Sequence, residues 1–104
     1  MSNFVLAYTG GAPADTPEAQ EASMKAWTEW FQALGDGVVD AGNPFGGAAT
    51  LASDGSTSEG GRSGLTGYSI IKAHDLSAAT AAAKGCPILA DGGGVEVYEV
   101  FNVM

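Results

Sequence analysis

The sequence predicts a single α+β domain built on a split βαβ pattern: an antiparallel sheet with two helices on one face. Three observations predict it. The elements follow in the order strand, helix, strand, short hairpin, strand, helix, strand. Both helical stretches carry start and stop signals at the right places. The chain has 104 residues, of which 45% are hydrophobic, enough for one core and one domain spanning 1–104.

Asn3 to Thr9 reads as the first strand, rich in β-formers and ended by Gly10-Gly11. A loop containing Pro13 follows, from Gly10 to Asp15. Asp15 or Thr16 caps the first helix, Pro17 suits its first turn, and Glu18 and Glu21 favour its positive end. The helix runs to about Leu34, with Ala19, Ala22, Ala26, Trp30, Ala33 and Leu34 on one face and Trp27 at its edge. Gly35 is the expected left-handed cap. Gly37 to Gly42 reads as a short strand and Ala48 to Ser53 as another, leading to the Asp54-Gly55 turn signal. Ser56 to Gly64 is polar and glycine-rich, which predicts a mobile loop. Gly67 to Ala73 is a strand. Asp75 caps a second helix over Leu76 to Lys84, stopped by Gly85 and Pro87. A loop to Gly94 precedes the last strand, Val95 to Phe101.

The strands carry apolar residues at both parities: Phe4, Leu6 and Tyr8 alternate with Val5 and Ala7, and Tyr68 and Ile70 with Ile71 and Ala73. Two helices cover one face only. The other face needs a cover, and a second copy of the chain, making a homodimer, is the simplest one.

Twelve acidic residues against four basic ones give a formal charge of -8. That sign repels phosphate backbones and anionic membranes, so neither nucleic acid nor membrane is expected as a partner. The single cysteine, Cys86, allows no internal disulfide. The first residues have neither the basic start nor the apolar run of a signal peptide or a span, and a cytoplasmic protein is the expectation. One histidine and one cysteine make no zinc cage, and the glycine clusters match no phosphate loop, so no metal or cofactor is expected.

Several segments together resemble the YCII-related (DGPF-domain) proteins, of the ferredoxin-like, dimeric α+β barrel type. They are a first strand ending in Tyr8, the Trp27 and Trp30 helix, Asp40-Ala41-Gly42-Asn43-Pro44 and Gly67 to Ala73. Asp75-Leu76 before an alanine-rich helix, Cys86-Pro87 and Gly94-Val95-Glu96-Val97 complete the set. The resemblance implies a dimer with pockets near its sheets. In some relatives a histidine on the first helix is thought to pair with an aspartate; here Glu18 to Leu34 holds no histidine. Where one branch has Asp-Gly-Pro-Phe, this chain has Asp54-Gly55-Ser56-Thr57.

The candidate catalytic residues are Asp40 and His74. Asp40, at the end of a short strand before Gly42, is expected to be partly buried toward a pocket between sheet and helix, as a general base. Its alternative is a turn carboxylate bonded to nearby amides. His74 is a general base or a plain residue at a strand-to-helix junction. Trp27, Trp30, Tyr8, Tyr68 and Lys25 are the candidate ligand-binding residues, with the two tryptophans alternatively in the core. Glu99 shares the parity of Val95, Val97, Phe101 and Val103, so a bulge, an exposed edge, a polar cavity or a partner such as Lys72 is expected there. Cys86 is expected to be a small buried hydrophobe. Three functions compete: a domain binding a small organic or aromatic ligand, a lyase or dehydrochlorinase with Asp40 as base, and a structural dimer without ligand.

Overall fold

A computed structural model describes residues 1–11 and 15–101. Pro13 and Val103 lie outside the described residues. Six strands and two helices follow one another: β1 (Ser2–Thr9), α1 (Pro17–Leu34), β2 (Val38–Asp40), β3 (Ala49–Leu51), β4 (Thr57–Glu59), β5 (Leu65–Ala73), α2 (Leu76–Ala83) and β6 (Gly94–Val100). Four of the strands form one sheet in the order β2-β5-β1-β6. Every pair in it is antiparallel. β5 therefore lies between β1 and β2, as the split βαβ pattern requires.

Local chemistry sets the helix ends. The Thr16 hydroxyl, not the Asp15 carboxylate, accepts the Ala19 amide at 3.1 Å. Asp75 accepts the Ala78 amide at 2.8 Å and starts α2. Gly35 ends α1 with φ 54°, a conformation that glycine adopts without a Cβ penalty. Pro87 to Leu89 form a 3-10 turn inside the loop expected before β6.

The core sits between α1, α2 and one sheet face. Phe4, Leu6 and Tyr8 of β1 and Ile71 of β5 point into it, with Trp30, Ala79, Ala83, Cys86 and Ile88 above them. Each large apolar side chain buried there contributes roughly 1.5–3 kcal/mol. The inner face of α1 departs from the expected alanine stripe. Trp27, Trp30, Phe31 and Leu34 pack on the core, while Ala19, Ala22 and Ala33 are exposed. Long rings reach the sheet from the helix axis and alanines do not, so the bulky residues decide how the helix is turned.

The opposite sheet face has no covering layer. Register places Asn3, Val5 and Ala7 of β1 on it, beside Tyr68, Ile70 and Lys72 of β5 and Glu96, Tyr98 and Val100 of β6. The sheet is open and closes into no barrel. The radius of gyration is 15.1 Å, against about 13 Å for a compact domain of this length. The excess reflects this thin two-layer build and an arm that stands apart from it.

That arm is β3 paired with β4. Ser56 to Gly64 was expected to be a loop, yet Thr57–Glu59 forms a strand. The turn drives the pairing: Asp54 accepts the Ser56 amide at 2.9 Å and its hydroxyl at 2.7 Å. Those bonds hold the Asp54 carboxyl below its ordinary range. Thr50 Oγ1 donates to the Gly60 carbonyl at 2.7 Å and accepts the Arg62 amide at 3.0 Å. Glu99 also resolves simply. It pairs with Phe4 in regular register on the edge strand β6 and is exposed, with no bulge. Lys72 stands on the open face opposite Asn3, away from it.

Gly42 is the position least tolerant of a side chain. Its φ is 77°, and a Cβ there would stand 1.7 Å from the Tyr68 carbonyl oxygen. Gly42→Ala is expected to cost more than about 2 kcal/mol through strain and steric conflict. Gly46→Ala, with nothing within 4 Å of the added Cβ, is expected to change stability by less than about 0.5 kcal/mol. Urea denaturation of the two variants checks the contrast.

Candidate functional site

Three segments meet at one end of the sheet and form a half-open cavity of about 530 Å³. α1 contributes Ser23, Met24, Trp27, Thr28 and Phe31. The turn after β2 contributes Ala41 to Pro44, and β5 contributes Thr66 to Ser69. Tyr8 and Ile88 complete the wall.

The chain reaches this geometry because Gly42 lets the turn press against β5. Beyond it, Asn43 and Phe45 return to β5 through the Tyr68 amide to Asn43 carbonyl bond at 3.3 Å and the Phe45 amide to Thr66 carbonyl bond at 2.9 Å. Beneath the turn lies a buried polar chain. The Tyr8 hydroxyl donates to Ser69 Oγ at 2.7 Å, and Ser69 Oγ donates to the Ala41 carbonyl at 2.7 Å. Ser69 is fully buried. It can stand there because its hydroxyl both accepts and donates.

Aromatic contacts set the rest of the wall. Trp27 meets Tyr8 edge-on at 5.3 Å and 73°, and Trp30 at 5.8 Å and 80°. Phe31 lies 5.9 Å from Trp27. Tyr68 stacks on Phe45 at 5.8 Å and 16°. Such contacts hold rings in place beyond what burial alone achieves.

Burial pushes the Tyr8 phenol up well above its ordinary value, partly opposed by its bond with Ser69. Burial likewise raises the Cys86 thiol beside it. The thiol is therefore protonated near neutral pH and is a poor nucleophile. Tyr68 is raised because its hydroxyl donates to Asp40, whose negative charge adds to the effect. Tyr98 is raised in the same way by its bond to Glu96 on the open face.

The residues singled out in the sequence fall in different places. Tyr8 and Trp27 line the cavity, and Tyr68 borders it while its ring lies on the open sheet face against Phe45 and Asp40. Trp30 is buried behind it, with its indole nitrogen donating to the Ala82 carbonyl at 3.2 Å. Lys25 is on the outer side of α1, 78% exposed and 4.0 Å from Glu29. His74 is exposed where β5 gives way to α2, six residues and roughly 20 Å of strand beyond Tyr68. Asp40 is exposed rather than partly buried. Its carboxylate accepts the Gly42 amide at 2.9 Å and the Tyr68 hydroxyl at 3.1 Å. The turn after β2 folds this side chain back onto its own backbone, and Asp40 does not line the cavity.

Ser69, Asn43, Thr28 and Phe31 were not singled out in the sequence. Only Ser69 left a signal there: it is the one hydroxyl at the buried parity of an otherwise apolar strand, between Gly67 and Ile71. Among the described residues, no group of three His, Cys, Asp or Glu side chains is placed to hold a metal ion. No described helix is long and apolar enough to cross a membrane.

The model of the YCII-related domain matches residues 1–104, the whole chain. The chain belongs to the YCII-related family. Neither the curated proteins nor the solved structures contain a match to it. The family match carries no substrate with it.

The buried phenol yields a prediction about pH. Its proton is held more tightly in the folded chain than in the unfolded one, where tyrosine ionises near 10. This contribution to stability is complete below pH 10 and is lost as pH rises above it. Denaturation at pH 9 to 11 is expected to show falling stability, with a shallower fall in Tyr8→Phe. The same variant is expected to lose about 1–2 kcal/mol at pH 7, because Ser69 Oγ loses its donor.

Proposed function

We propose that this YCII-related chain is a small-molecule-binding domain that works as a homodimer, with its ligand in the cavity between α1 and the β2–β5 end of the sheet. One observation carries the reading: an apolar cleft of about 530 Å³ walled by Tyr8, Trp27 and Phe31. That volume falls in the range of small-molecule sites, which combine apolar walls with a few polar groups.

The dimer is supported by the uncovered sheet face. Val5, Ile70, Tyr98 and Val100 lie on it beside polar residues. Tyr98 is 54% and Val100 46% exposed in the single chain. A second copy packed face to face removes that surface from water.

Catalysis with Asp40 as base has less support. Both Asp40 oxygens are engaged by Gly42 and Tyr68, and His74 stands at the far end of β5. Binding needs neither group to move a proton.

Light scattering at micromolar concentration is expected to give twice the 10.4 kDa chain mass. Ile70→Glu is expected to shift it to the monomer mass. A thermal-shift screen of small aromatic compounds is expected to raise the melting temperature by several degrees for those that bind, by mass action on the folded state. Trp27→Ala is expected to remove that shift. A monomeric wild type contradicts the dimer, and an unresponsive protein contradicts the pocket.

A further inference from the structure

Resting on that reading of the cavity, we infer that its ligand is an uncharged aromatic molecule, and that organic acids are excluded. The inference comes from which charged groups reach the cavity. All four basic side chains are placed elsewhere: Lys25 on the outer side of α1, Arg62 beside the β3–β4 arm, Lys72 on the open sheet face and Lys84 at the end of α2. None of them lines the cavity, and neither does His74. A carboxylate or phosphate bound against the apolar walls of this half-open cleft gives up part of its hydration with no cation to receive it, which is costly.

The local field has the same sense. The Asp40 carboxylate is one hydrogen bond away from two lining residues, Gly42 and Tyr68. The chain as a whole carries a formal charge of -8. Both repel an entering anion.

A cation is not specifically received either. No carboxylate lines the cavity, and both Asp40 oxygens already accept hydrogen bonds. The polar groups that do line it are neutral. Ser23, Thr28 and Asn43 make no side-chain hydrogen bond to another described residue. Hydroxyls and a carboxamide match the carbonyl, amide, hydroxyl or ring nitrogen of a neutral compound. The aromatic walls match the faces and edges of its ring.

Matched probes on one ring system test this: 2-naphthamide, 2-naphthoate and 2-naphthylmethylammonium, titrated at pH 7 and followed by tryptophan fluorescence and calorimetry. The amide is expected to bind at least tenfold more tightly than the carboxylate, and at least as tightly as the ammonium. Thr28→Lys places a cation at the exposed rim of the cavity and is expected to raise naphthoate affinity several-fold while leaving the fold intact by circular dichroism. Naphthoate binding the wild type as tightly as the amide overturns the inference and leaves the pocket standing. Tenfold tighter binding of the ammonium does the same. Failure of all three probes to bind overturns the inference together with the binding function on which it rests.

Discussion

A single buried hydroxyl ties the candidate site together. Ser69 lies on the helix-facing side of β5, fully shielded from water, and a polar group there is tolerated only when its hydrogen bonds are made. It accepts from Tyr8 on β1 and donates to the Ala41 carbonyl beyond β2. Three segments distant in sequence are thereby fixed to one atom. Gly42 extends the same constraint, because only a residue without a Cβ brings the turn so close to the Tyr68 carbonyl. The floor of the cavity follows from these two contacts, and its walls from the rings of α1 that rest on Tyr8.

The same arrangement separates the core from the cavity lining. The core residues Phe4, Leu6, Ile71, Ala79 and Ala83 hold helices to sheet and lie outside the cavity lining. Trp27 and Tyr8 belong to both, since each packs on the core and presents a surface to the cavity. The charged residues are turned outward, which leaves the cavity walls apolar.

Much of the fold was legible in the sequence because caps and periodicity are local. Pro17, Asp75, Gly35 and Gly85 mark the helix ends within a residue or two of where they fall. The strand Thr57–Glu59 was not legible, because both of its faces are exposed and no apolar alternation marks it. The orientation of α1 was misread for a related reason. Alanines at helical spacing suggest a buried face, yet the larger rings three and four residues apart win the contact with the sheet. Of the candidate site, Tyr8, Trp27 and Tyr68 were legible as aromatics at strand ends and on an amphipathic helix. The position of Asp40 was not, because it depends on the backbone turn that Gly42 allows. Asn43 and Thr28 carry no pattern of their own and join the site only through tertiary contact.

The most direct test of the account is a double-mutant cycle on the buried polar chain, with Tyr8→Phe, Ser69→Ala and the double variant compared by urea denaturation. Two residues that share a hydrogen bond are expected to couple by about 0.5 kcal/mol or more, so that the double variant loses less than the sum of the single losses. Purely additive losses would contradict the claim that Tyr8, Ser69 and the turn at Ala41 form one unit beneath the cavity.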